Sequence, residues 1–430
     1  MAASLIRATR TLCPVCLREV PARLLADGDD VTLEGRCDEH GPWQTSIWSG
    51  PPSFESWCGP DASLAARQTC TVVMEVTRRC DLGCPVCFAE ASRSVAEPDP
   101  PRAELAGRFS RLFAAEGAIN LQLSGGEPTM RPDLPEVVAD ASAAGFAFVQ
   151  LNTNGLRLAA EDGYAERLRD AGLESVFLQF DGLTEETYRS LRGRALLADK
   201  LRAVERCAEA GLAVVLVPTV VPGVNDQEIG PLVRFAASWA GVVRGLHLQP
   251  VSYFGRYPRN GRPRLTLPEV LRDLEQQTAG QVHAADFAPS CCEHPRCSFR
   301  ARYWVREGGR LEPVRAKSCC CAPASSPAPA PAPDDAPRRA VAATSRSWGR
   351  KRPEAGARAV PESGDDLNRF LADAERILTI SGMLFQDAWS IDMERIGRCC
   401  VRVATSGGDL ESFCLWNLTG ASGERLLPRG

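Results

Sequence analysis

Cysteine content is the feature of this sequence that most restricts how the chain can fold. Eighteen cysteines stand against only four histidines, and most of the cysteines are grouped along the chain. Disulfides would explain such a number mainly in small secreted domains. The first residues, MAASLIRATRTLCPVC, lack the apolar core and cleavage site of a secretory signal. We therefore expect a cytoplasmic protein whose thiols are reduced and mostly bind metal.

The overall composition narrows the possible classes further. Apolar residues make up 44% and charged residues 24% of the chain, which is typical of a globular protein. The net charge is -4, so no basic field favours nucleic acid as a partner. No apolar run approaches the roughly 20 residues of a membrane span. We expect no transmembrane segment and no nucleic-acid binding.

Between residues 71 and 251 the sequence alternates between short apolar runs and amphipathic stretches. The apolar runs are TVVMEV, INLQLS, FAFVQLN, SVFLQF, AVVLVPTV and GLHLQPV. Stretches such as PDLPEVVADASAAG and LADKLRAVERCAEAG separate them and end in glycine, as helices often do. This alternation predicts an α/β fold with six parallel strands, too few for a complete eight-unit barrel.

The rest of the chain divides by composition. We predict a metal module at 1–60, the α/β unit at 66–290, a cysteine segment at 291–321, an extended Pro/Ala-rich linker at 322–361, and a C-terminal helix with a second cysteine segment at 362–430. The apolar face of that helix would consist of Leu367, Phe370, Leu371, Ala374, Ile377 and Leu378.

A cysteine trio follows the first predicted strand. Cys80, Cys84 and Cys87 have the spacing C-x3-C-x2-C. Three thiolates can hold three irons of a [4Fe-4S] cluster and leave the fourth iron open, whereas four would close it. Zinc is the alternative, but zinc sites usually combine two C-x2-C pairs. The spacing therefore favours a cluster with one open iron.

A GGEP segment ends the second predicted strand, about 40 residues downstream of the trio. Gly125 and Gly126 let a backbone approach a ligand closely, and Glu127 can accept a hydrogen bond from an ammonium group. Such a segment also forms a simple turn, so its significance depends on the trio nearby.

Together these motifs resemble the radical S-adenosylmethionine (SAM) superfamily, over roughly residues 66–255. The resemblance implies a partial (β/α)6 barrel in which the trio binds the cluster and the open iron chelates SAM. Reductive cleavage of SAM would give a 5′-deoxyadenosyl radical that abstracts hydrogen. Gly125, Gly126 and Glu127 would hold the SAM amino group.

Further SAM contacts are expected where LNTNG and LQFDG end the third and fourth strands. The candidates are Thr153, Asn154, Gln179 and Asp181. Asn-Gly and Asp-Gly also favour turns without any ligand, which is the alternative for each of them. Arg192 and Arg194 could reach a carboxylate, but we expect them to be solvated loop charges.

The N-terminal module contains C-x2-C followed by C-x2-H. Cys13, Cys16, Cys37 and His40 could form a tetrahedral metal site. The alternative is chance pairing with a free surface histidine. The module resembles a zinc ribbon or a rubredoxin, and the spacing leaves zinc or iron open.

Nine more cysteines follow the predicted barrel. They are Cys291, Cys292, Cys297, Cys319, Cys320, Cys321, Cys399, Cys400 and Cys414. Two closed cubes would use eight thiolates, so we expect two auxiliary [4Fe-4S] clusters, with a single cube and idle thiols as the alternative. His294 is either a ligand or a turn cap. The isolated residues Cys58, Cys70 and Cys207 are expected to be buried as small apolar side chains.

The full set of motifs, including CCEHPRC and DAWSIDMERIGRCC, resembles one subfamily. It contains archaeal tetraether lipid synthase and 7,8-dihydro-6-hydroxymethylpterin methyltransferase-like proteins, with a rubredoxin-like site and several [4Fe-4S] clusters. The resemblance implies an enzyme that functionalises an unactivated carbon and draws electrons from a flavodoxin- or ferredoxin-like donor. The insertion at 322–361 and the Cys319–Cys321 triplet depart from the subfamily pattern.

Three functions remain open, and the polarity and length of the pocket distinguish the first two. Our first hypothesis is carbon–carbon coupling of lipid tails, which needs a long apolar channel. Methylation of a pterin or similar small molecule is the alternative and needs a short polar pocket. An electron carrier of no catalytic function is disfavoured, since it needs no open iron. The residues that could line an apolar channel, or only pack in the core, are Phe254, Trp304, Met383, Leu384 and Phe385.

Overall fold

The computed structural model describes residues 3–58, 69–94, 98–146, 148–258, 263–290, 293–314, 336–349 and 376–428. The N-terminal part is an antiparallel sheet of β1 (Ser4–Leu12), β2 (Glu19–Asp27), β3 (Asp30–Cys37) and β4 (Gly41–Trp48), in that order. Leu24, Val31 and Leu33 are buried on its inner face, as expected for a sheet that covers a core on one side.

The six predicted strands are confirmed, and each pairs in parallel with the next. They are β5 (Thr71–Thr77), β6 (Asn120–Gly125), β7 (Phe148–Thr153), β8 (Ser175–Gln179), β9 (Ala213–Val217) and, after the short β10 (Thr219–Val220), β11 (Val243–Pro250). All five residues of β9 are buried, which is typical of parallel strands covered on both faces. The predicted α/β class is correct.

Most of the following helices connect these strands, whereas the first precedes β5 and the last follows β11. They are α1 (Phe54–Cys58), α2 (Arg102–Glu116), α3 (Leu134–Ala143), α4 (Leu156–Ala160), α5 (Tyr164–Asp170), α6 (Glu185–Arg192), α7 (Leu197–Ala210), α8 (Ile229–Ser238) and α9 (Leu267–Gln277). The two amphipathic stretches of the sequence form α3 and α7. Helix α7 ends at Gly211, whose φ of +68° is the left-handed conformation of a C-cap.

The C-terminal region adds a parallel strand at each edge of these six. Strand β14 (Ile377–Met383) pairs with β11, and β15 (Val401–Ala404) pairs with β5, which extends the row of six described parallel strands to eight. The short β10 also pairs in parallel with β11, beside this row. Antiparallel strands β12 (Ser298–Val305), β13 (Leu311–Pro313) and β16 (Leu410–Ser412) extend its edges. The predicted number of six omitted β14 and β15 because they lie outside the regular strand–helix alternation.

The expected linker at 322–361 is not extended throughout. It contains helix α10 (Ala336–Trp348), which contacts β6, β9, β11 and β14. Val341 is buried beside Cys70 and Cys400, and the Trp348 ring lies 5.9 Å from that of Phe177. The Pro/Ala-rich composition concealed the two apolar side chains that anchor this helix.

The helix expected at residues 367–378 does not include Ile377 and Leu378. These two residues begin β14 and pair with Trp304 and Tyr303 of β12, because a β-branched run beside an available edge forms a strand. The rest of that expected face (Leu367, Phe370, Leu371 and Ala374) lies outside the described residues. The domain boundaries themselves remain predictions.

The N-terminal sheet is attached to the C-terminal segment that precedes helix α11 (Met393–Ile396) and helix α12 (Phe413–Asn417). Thr9 Oγ1 donates to Asp392 at 2.8 Å, and Thr11 Oγ1 donates to the Ile391 carbonyl at 2.6 Å. None of the described helices combines the length and the apolar character needed to span a membrane.

Candidate functional site

The barrel encloses a cavity of about 310 Å³, and both sequence motifs line it. The cysteine trio lies in the loop after β5, and Gly125, Gly126 and Glu127 lie at the end of β6. The carboxyl ends of neighbouring parallel strands meet at one edge of a sheet, which is where α/β enzymes place their sites. The fold therefore brings together the motifs that the sequence separates by about 40 residues.

The two glycines pack against the backbone of the cysteine loop. The Gly126 amide donates to the Thr77 carbonyl at 2.8 Å. A Cβ at Gly125 would lie 2.0 Å from the Thr77 carbonyl oxygen, and one at Gly126 would lie 2.2 Å from that of Arg79. The close backbone approach expected of these glycines is thus made to the cysteine loop itself, and it fixes one motif on the other.

Glu127 connects the ends of β6 and β7. Its side chain is 1% exposed and accepts hydrogen bonds from Thr129 N at 3.0 Å, Thr129 Oγ1 at 2.7 Å, Thr153 Oγ1 at 2.6 Å and Asn154 N at 2.6 Å. Burial raises the pKa of the carboxyl group. The carboxylate is thus largely used within the protein, and its contact with a SAM amino group remains a prediction.

Arg256 holds the cysteine loop in place. Its guanidinium donates to the carbonyls of Cys84 at 2.8 Å and Ala91 at 3.1 Å, and its backbone forms two hydrogen bonds with Cys87. Burial raises the pKa of Cys80 to about 12. The trio is not among the groups whose ligand atoms all lie within 4.8 Å. Thiolates that bind different irons of one cluster lie farther apart than thiolates that share one ion, so the trio is not arranged as a single-ion site.

The candidates at the ends of β7 and β8 divide into two groups. Thr153, Asn154 and Gln179 line the cavity, and Asn154 Nδ2 donates to Asp81 in the cysteine loop at 2.7 Å. Asp181 is completely buried and binds Arg192 instead of facing the cavity. The expectation that Asp181 contacts SAM therefore has no geometric support.

Arg192 is not the solvated loop charge that the sequence led us to expect. It is 8% exposed, lines the cavity and donates to the Val86 carbonyl of the cysteine loop at 3.0 Å. Arg194, by contrast, is exposed as expected. Burial raises the pKa of Cys84, and the Arg192 charge partly opposes this effect.

Lys200 is a residue of this region that the sequence interpretation missed. Its side chain is completely buried on α7, and Nζ donates to the Asn154 carbonyl and to Gln179 Oε1, the latter at 2.9 Å. Burial lowers the pKa of this lysine to about 8. The available signal was its position on the buried face of α7, three and four residues before Ala203 and Val204.

Beyond the trio, one wall of the cavity consists of amide side chains. Gln122 Nε2 donates to Gln150 Oε1 at 2.9 Å, and Asn152 Nδ2 donates to Gln122 Oε1 at 3.3 Å. Within the described part of the chain, Asn120 Oδ1, Asn152 Oδ1 and Thr379 Oγ1 are buried without a hydrogen-bond partner. Buried polar atoms are normally paired, so a ligand with donors at its edge would complete this wall.

Another wall is aromatic. The rings of Phe385 and Phe413 lie 4.5 Å apart, and the ring of Phe254 lies 6.5 Å from each. Of the expected channel residues, Phe254, Met383 and Phe385 line the cavity, Leu384 lines a smaller cavity nearby, and Trp304 lines neither. The site therefore has an apolar side without being an apolar channel.

The four predicted N-terminal ligands come together between the hairpins. The sulfur atoms of Cys16 and Cys37 lie 3.9 Å apart, and His40 Nδ1 lies 3.6 Å from Cys13 Sγ and 3.5 Å from Cys37 Sγ. A tetrahedral ion with metal–sulfur bonds of about 2.3 Å separates two sulfurs by roughly 3.8 Å. The geometry fits one metal ion, and His40 belongs to the set.

Four of the described C-terminal cysteines line a second, smaller cavity of about 30 Å³. They are Cys297, Cys399, Cys400 and Cys414, and Arg395 donates to Cys297 Sγ at 2.9 Å. Burial raises the pKa of Cys399 to about 12. His294 Nδ1 accepts from the Arg296 amide at 3.2 Å, which is the turn-capping alternative. The thiols that line this cavity fit an auxiliary cluster.

Cys400 also lines this cavity, and its sulfur contacts that of Cys70, with the two sulfur atoms 3.1 Å apart. Cys70 is buried among apolar side chains as expected, but it also contacts a second thiol. Cys207 is completely buried on α7, as expected. The described residues do not include Cys291, Cys292, Cys319, Cys320 and Cys321, and do not include the side chain of Cys58.

Comparisons with known proteins agree with this architecture. The Radical SAM superfamily profile matches residues 74–236, and that of the HMPTM N-terminal zinc ribbon domain matches residues 5–49. The chain is 30% identical to the 7,8-dihydro-6-hydroxymethylpterin dimethyltransferase of Methanocaldococcus jannaschii, over 95% of this chain and 93% of that protein. It is 33% identical to the GTP 3′,8-cyclase of Marinobacter nauticus, over 47% of this chain and 60% of that protein.

Among solved structures, Streptococcus suis SuiB bound to S-adenosylmethionine matches with a TM-score of 0.40 and 17% identity, covering 50% of this chain and 47% of that chain. The superfamily profile includes the trio and the glycine motif, and the zinc ribbon profile coincides with the four-stranded sheet. Since the M. jannaschii relative aligns along nearly the whole chain, this protein belongs to the radical SAM superfamily of enzymes and, within it, to the family of 7,8-dihydro-6-hydroxymethylpterin dimethyltransferase.

Proposed function

We propose that this enzyme methylates a pterin or a similar flat heterocycle held in the barrel cavity. The observation that carries the proposal is the pair of contrasting walls. The aromatic side chains can stack on the face of a ring, and the amides of Gln122, Gln150 and Asn152 can pair with donors and acceptors at its edge. The relative's substrate, a 6-hydroxymethylpterin, has such a face and edge.

The cavity size supports a small substrate. Its volume of about 310 Å³ is at the lower end of the roughly 300–1,000 Å³ that is usual for small-molecule sites. Two lipid tails joined end to end would have to pass the amide wall. Each buried amide left unpaired against an alkyl chain costs about 1–3 kcal/mol. Methylation of a heterocycle is therefore favoured over the coupling of lipid tails.

The metal-binding residues have distinct proposed tasks. Cys80, Cys84 and Cys87 would hold the [4Fe-4S] cluster, which together with bound SAM supplies the one-electron chemistry of the superfamily. The proposed SAM contacts are Gly125, Gly126, Glu127, Thr153, Asn154 and Gln179. The N-terminal ligands would hold zinc, and Cys297, Cys399 and Cys414 would hold an auxiliary cluster. The flavodoxin- or ferredoxin-like donor and the cytoplasmic location remain predictions.

The test uses the anaerobically reconstituted full chain with dithionite, SAM and 7,8-dihydro-6-hydroxymethylpterin. We expect pterin-dependent formation of 5′-deoxyadenosine and a methylated pterin, detected by mass spectrometry. Labelled SAM and a labelled reduced folate are supplied in separate arms, since both carry one-carbon units. Coupling of acyl or isoprenoid chains without pterin methylation would overturn the proposal.

A variant in the amide wall tests whether this wall binds the pterin. Asn152→Leu removes an amide whose Oδ1 is unpaired within the described chain. We expect KM for the pterin to rise about tenfold, the equivalent of one hydrogen bond of about 1.4 kcal/mol. SAM cleavage without substrate should persist. The control is Gln227→Leu, which removes an exposed amide and should leave KM unchanged.

A further inference from the structure

We propose that Cys70, Cys400 and Glu293 form a second single-ion metal site in this protein, at the edge of the smaller cavity that Cys297, Cys399 and Cys414 also line. The bound ion would be a thiophilic divalent cation, Zn²⁺ or Fe²⁺. The sequence had suggested a core role for Cys70 and a cluster role for Cys400, and the structure brings both thiols to the same point beside a carboxylate.

The spacing of the ligand atoms distinguishes single-ion sites from cluster sites. The two thiol sulfurs lie 3.1 Å apart, beyond the roughly 2.0 Å of a disulfide and about 0.7 Å short of their separation in a tetrahedral site, so a bound ion would move them slightly apart. All three ligand atoms lie within 4.8 Å of one another, as do those of the N-terminal site. The trio and the Cys297 set are not among such close groups, as expected when each thiolate binds a different iron. The Cys70 site therefore belongs to the single-ion class.

The sheet itself positions the two thiols. Cys70 directly precedes β5 and Cys400 directly precedes β15, and these strands pair in parallel with Val401 opposite Thr71. The Cys70 amide donates to the Cys400 carbonyl at 3.0 Å. Strand pairing holds ligands more precisely than a loop can, so the thiol pair is formed before any metal binds.

Glu293 is the third protein ligand of the proposed site, and a fourth coordination position remains open. Glu293 accepts from Ser298 Oγ at 3.2 Å, and both Cys70 and Glu293 line the barrel cavity. Three protein ligands with an open position are typical of metal sites that bind water or substrate. The seven residues of β5 separate this site from the trio by roughly 20 Å. The barrel cavity thus lies between the cysteine trio and the proposed Cys70 site, and this holds for any substrate.

The test counts metal against sulfide in the anaerobically purified full chain. A [4Fe-4S] cluster contains equal numbers of iron and sulfide, so zinc plus iron minus acid-labile sulfide counts single-ion sites regardless of the metal. We expect an excess of two metal ions over sulfide per chain for the wild type, and an excess of one for Cys70→Ser and for Cys16→Ser. The double variant should have none, and Cys207→Ala, the control, should retain two.

Several results would overturn the site. They are a wild-type excess of one, an excess unchanged by Cys70→Ser, or loss of iron and sulfide in equal amounts, which would make Cys70 a cluster ligand. Retention of the N-terminal metal by Cys70→Ser shows that the variant is folded. If Cys70→Ser does not fold, the test uses Glu293→Gln in cobalt-substituted protein. One set of Co²⁺ ligand-field absorption bands should shift relative to the wild type, and an unchanged absorption spectrum would refute the proposal.

Discussion

Arg192 and Asp181 form a bidentate ion pair inside the barrel, with Nη2 and Nε at 2.6 and 2.7 Å from the two carboxylate oxygens. Asp181 is completely buried. Because the same guanidinium donates to the Val86 carbonyl, the pair fixes the cysteine loop against the end of β8. Two residues expected to be a cofactor contact and a solvated charge thus act together as a support for the cluster ligands.

Arg192→Met should destabilise the protein by about 3–5 kcal/mol, because it leaves the Asp181 charge buried and uncompensated. We also expect less iron at the trio and less 5′-deoxyadenosine. Anaerobic denaturant unfolding and iron analysis measure both effects. Arg194→Met, which alters an exposed side chain, is the matched control. Equal stability of the two variants would contradict a structural role for the pair.

Gly126→Ala should disrupt the junction of the two motifs. Its Cβ would lie 2.2 Å from the Arg79 carbonyl oxygen, a backbone atom that cannot move without shifting the cysteine loop. We expect loss of SAM cleavage by at least tenfold and reduced cluster occupancy, read from iron content and the absorption of the cluster.

The control for this variant lies within the cysteine loop itself. A Cβ at Gly83 would meet no atom of the described residues within 4 Å, and Gly83 does not have a positive φ. Gly83→Ala should therefore retain its cluster and its activity. If both alanine variants behaved alike, the close approach of Gly126 would not be the reason for the motif.

The buried Lys200 predicts a dependence of stability on alkaline pH. Burial lowers its pKa to about 8 in the folded protein, against about 10.4 in an unfolded chain. Between these values the unfolded state binds more protons, so the free energy of unfolding rises with pH. We expect a gain of about 2 kcal/mol between pH 8 and pH 10.

Lys200→Met isolates this contribution. The variant cannot titrate at this position, so the difference in unfolding free energy between it and the wild type should change by the same amount across that pH range. Denaturant unfolding at several pH values measures it. A difference that is constant with pH would mean that Lys200 keeps its ordinary pKa.

The sequence was sufficient for features that are local in the chain. The six barrel strands, the trio with its glycine motif and the N-terminal ligands each lie within a short segment, and periodicity or spacing identifies them. The four N-terminal ligands could be grouped because a hairpin-length spacer separates their two halves.

Contacts between distant segments could not be found in this way. Cys70 meets Cys400 across 330 residues because β15 adds to the edge of β5, and no spacing rule predicts that pairing. Arg192 and Lys200 are buried by partners on other elements, although each belongs to a helix whose exposed residues are also charged. Helix α10 could not be predicted from composition either, because its segment is rich in Pro and Ala and is held on the sheet by the contacts of only two side chains, Val341 and Trp348.

The N-terminal metal should stabilise more than its own sheet. Thr11 Oγ1 donates to the Ile391 carbonyl at 2.6 Å, and the Ala421 amide donates to the Pro14 carbonyl at 2.7 Å. Pro14 lies between the ligands Cys13 and Cys16. An ion bound by these ligands would hold this turn, so its loss should also weaken the attachment of the C-terminal segment.

Cys16→Ser should therefore increase amide hydrogen exchange by at least tenfold in residues 4–48 and also in residues 386–398. The strands β6 to β9 should be unaffected, since they share no described hydrogen bond with the module. Exchange detected by mass spectrometry measures each region in one experiment, with the exposed Gln44→Ala as control. Faster exchange confined to residues 4–48 would show that the ion stabilises the N-terminal sheet alone.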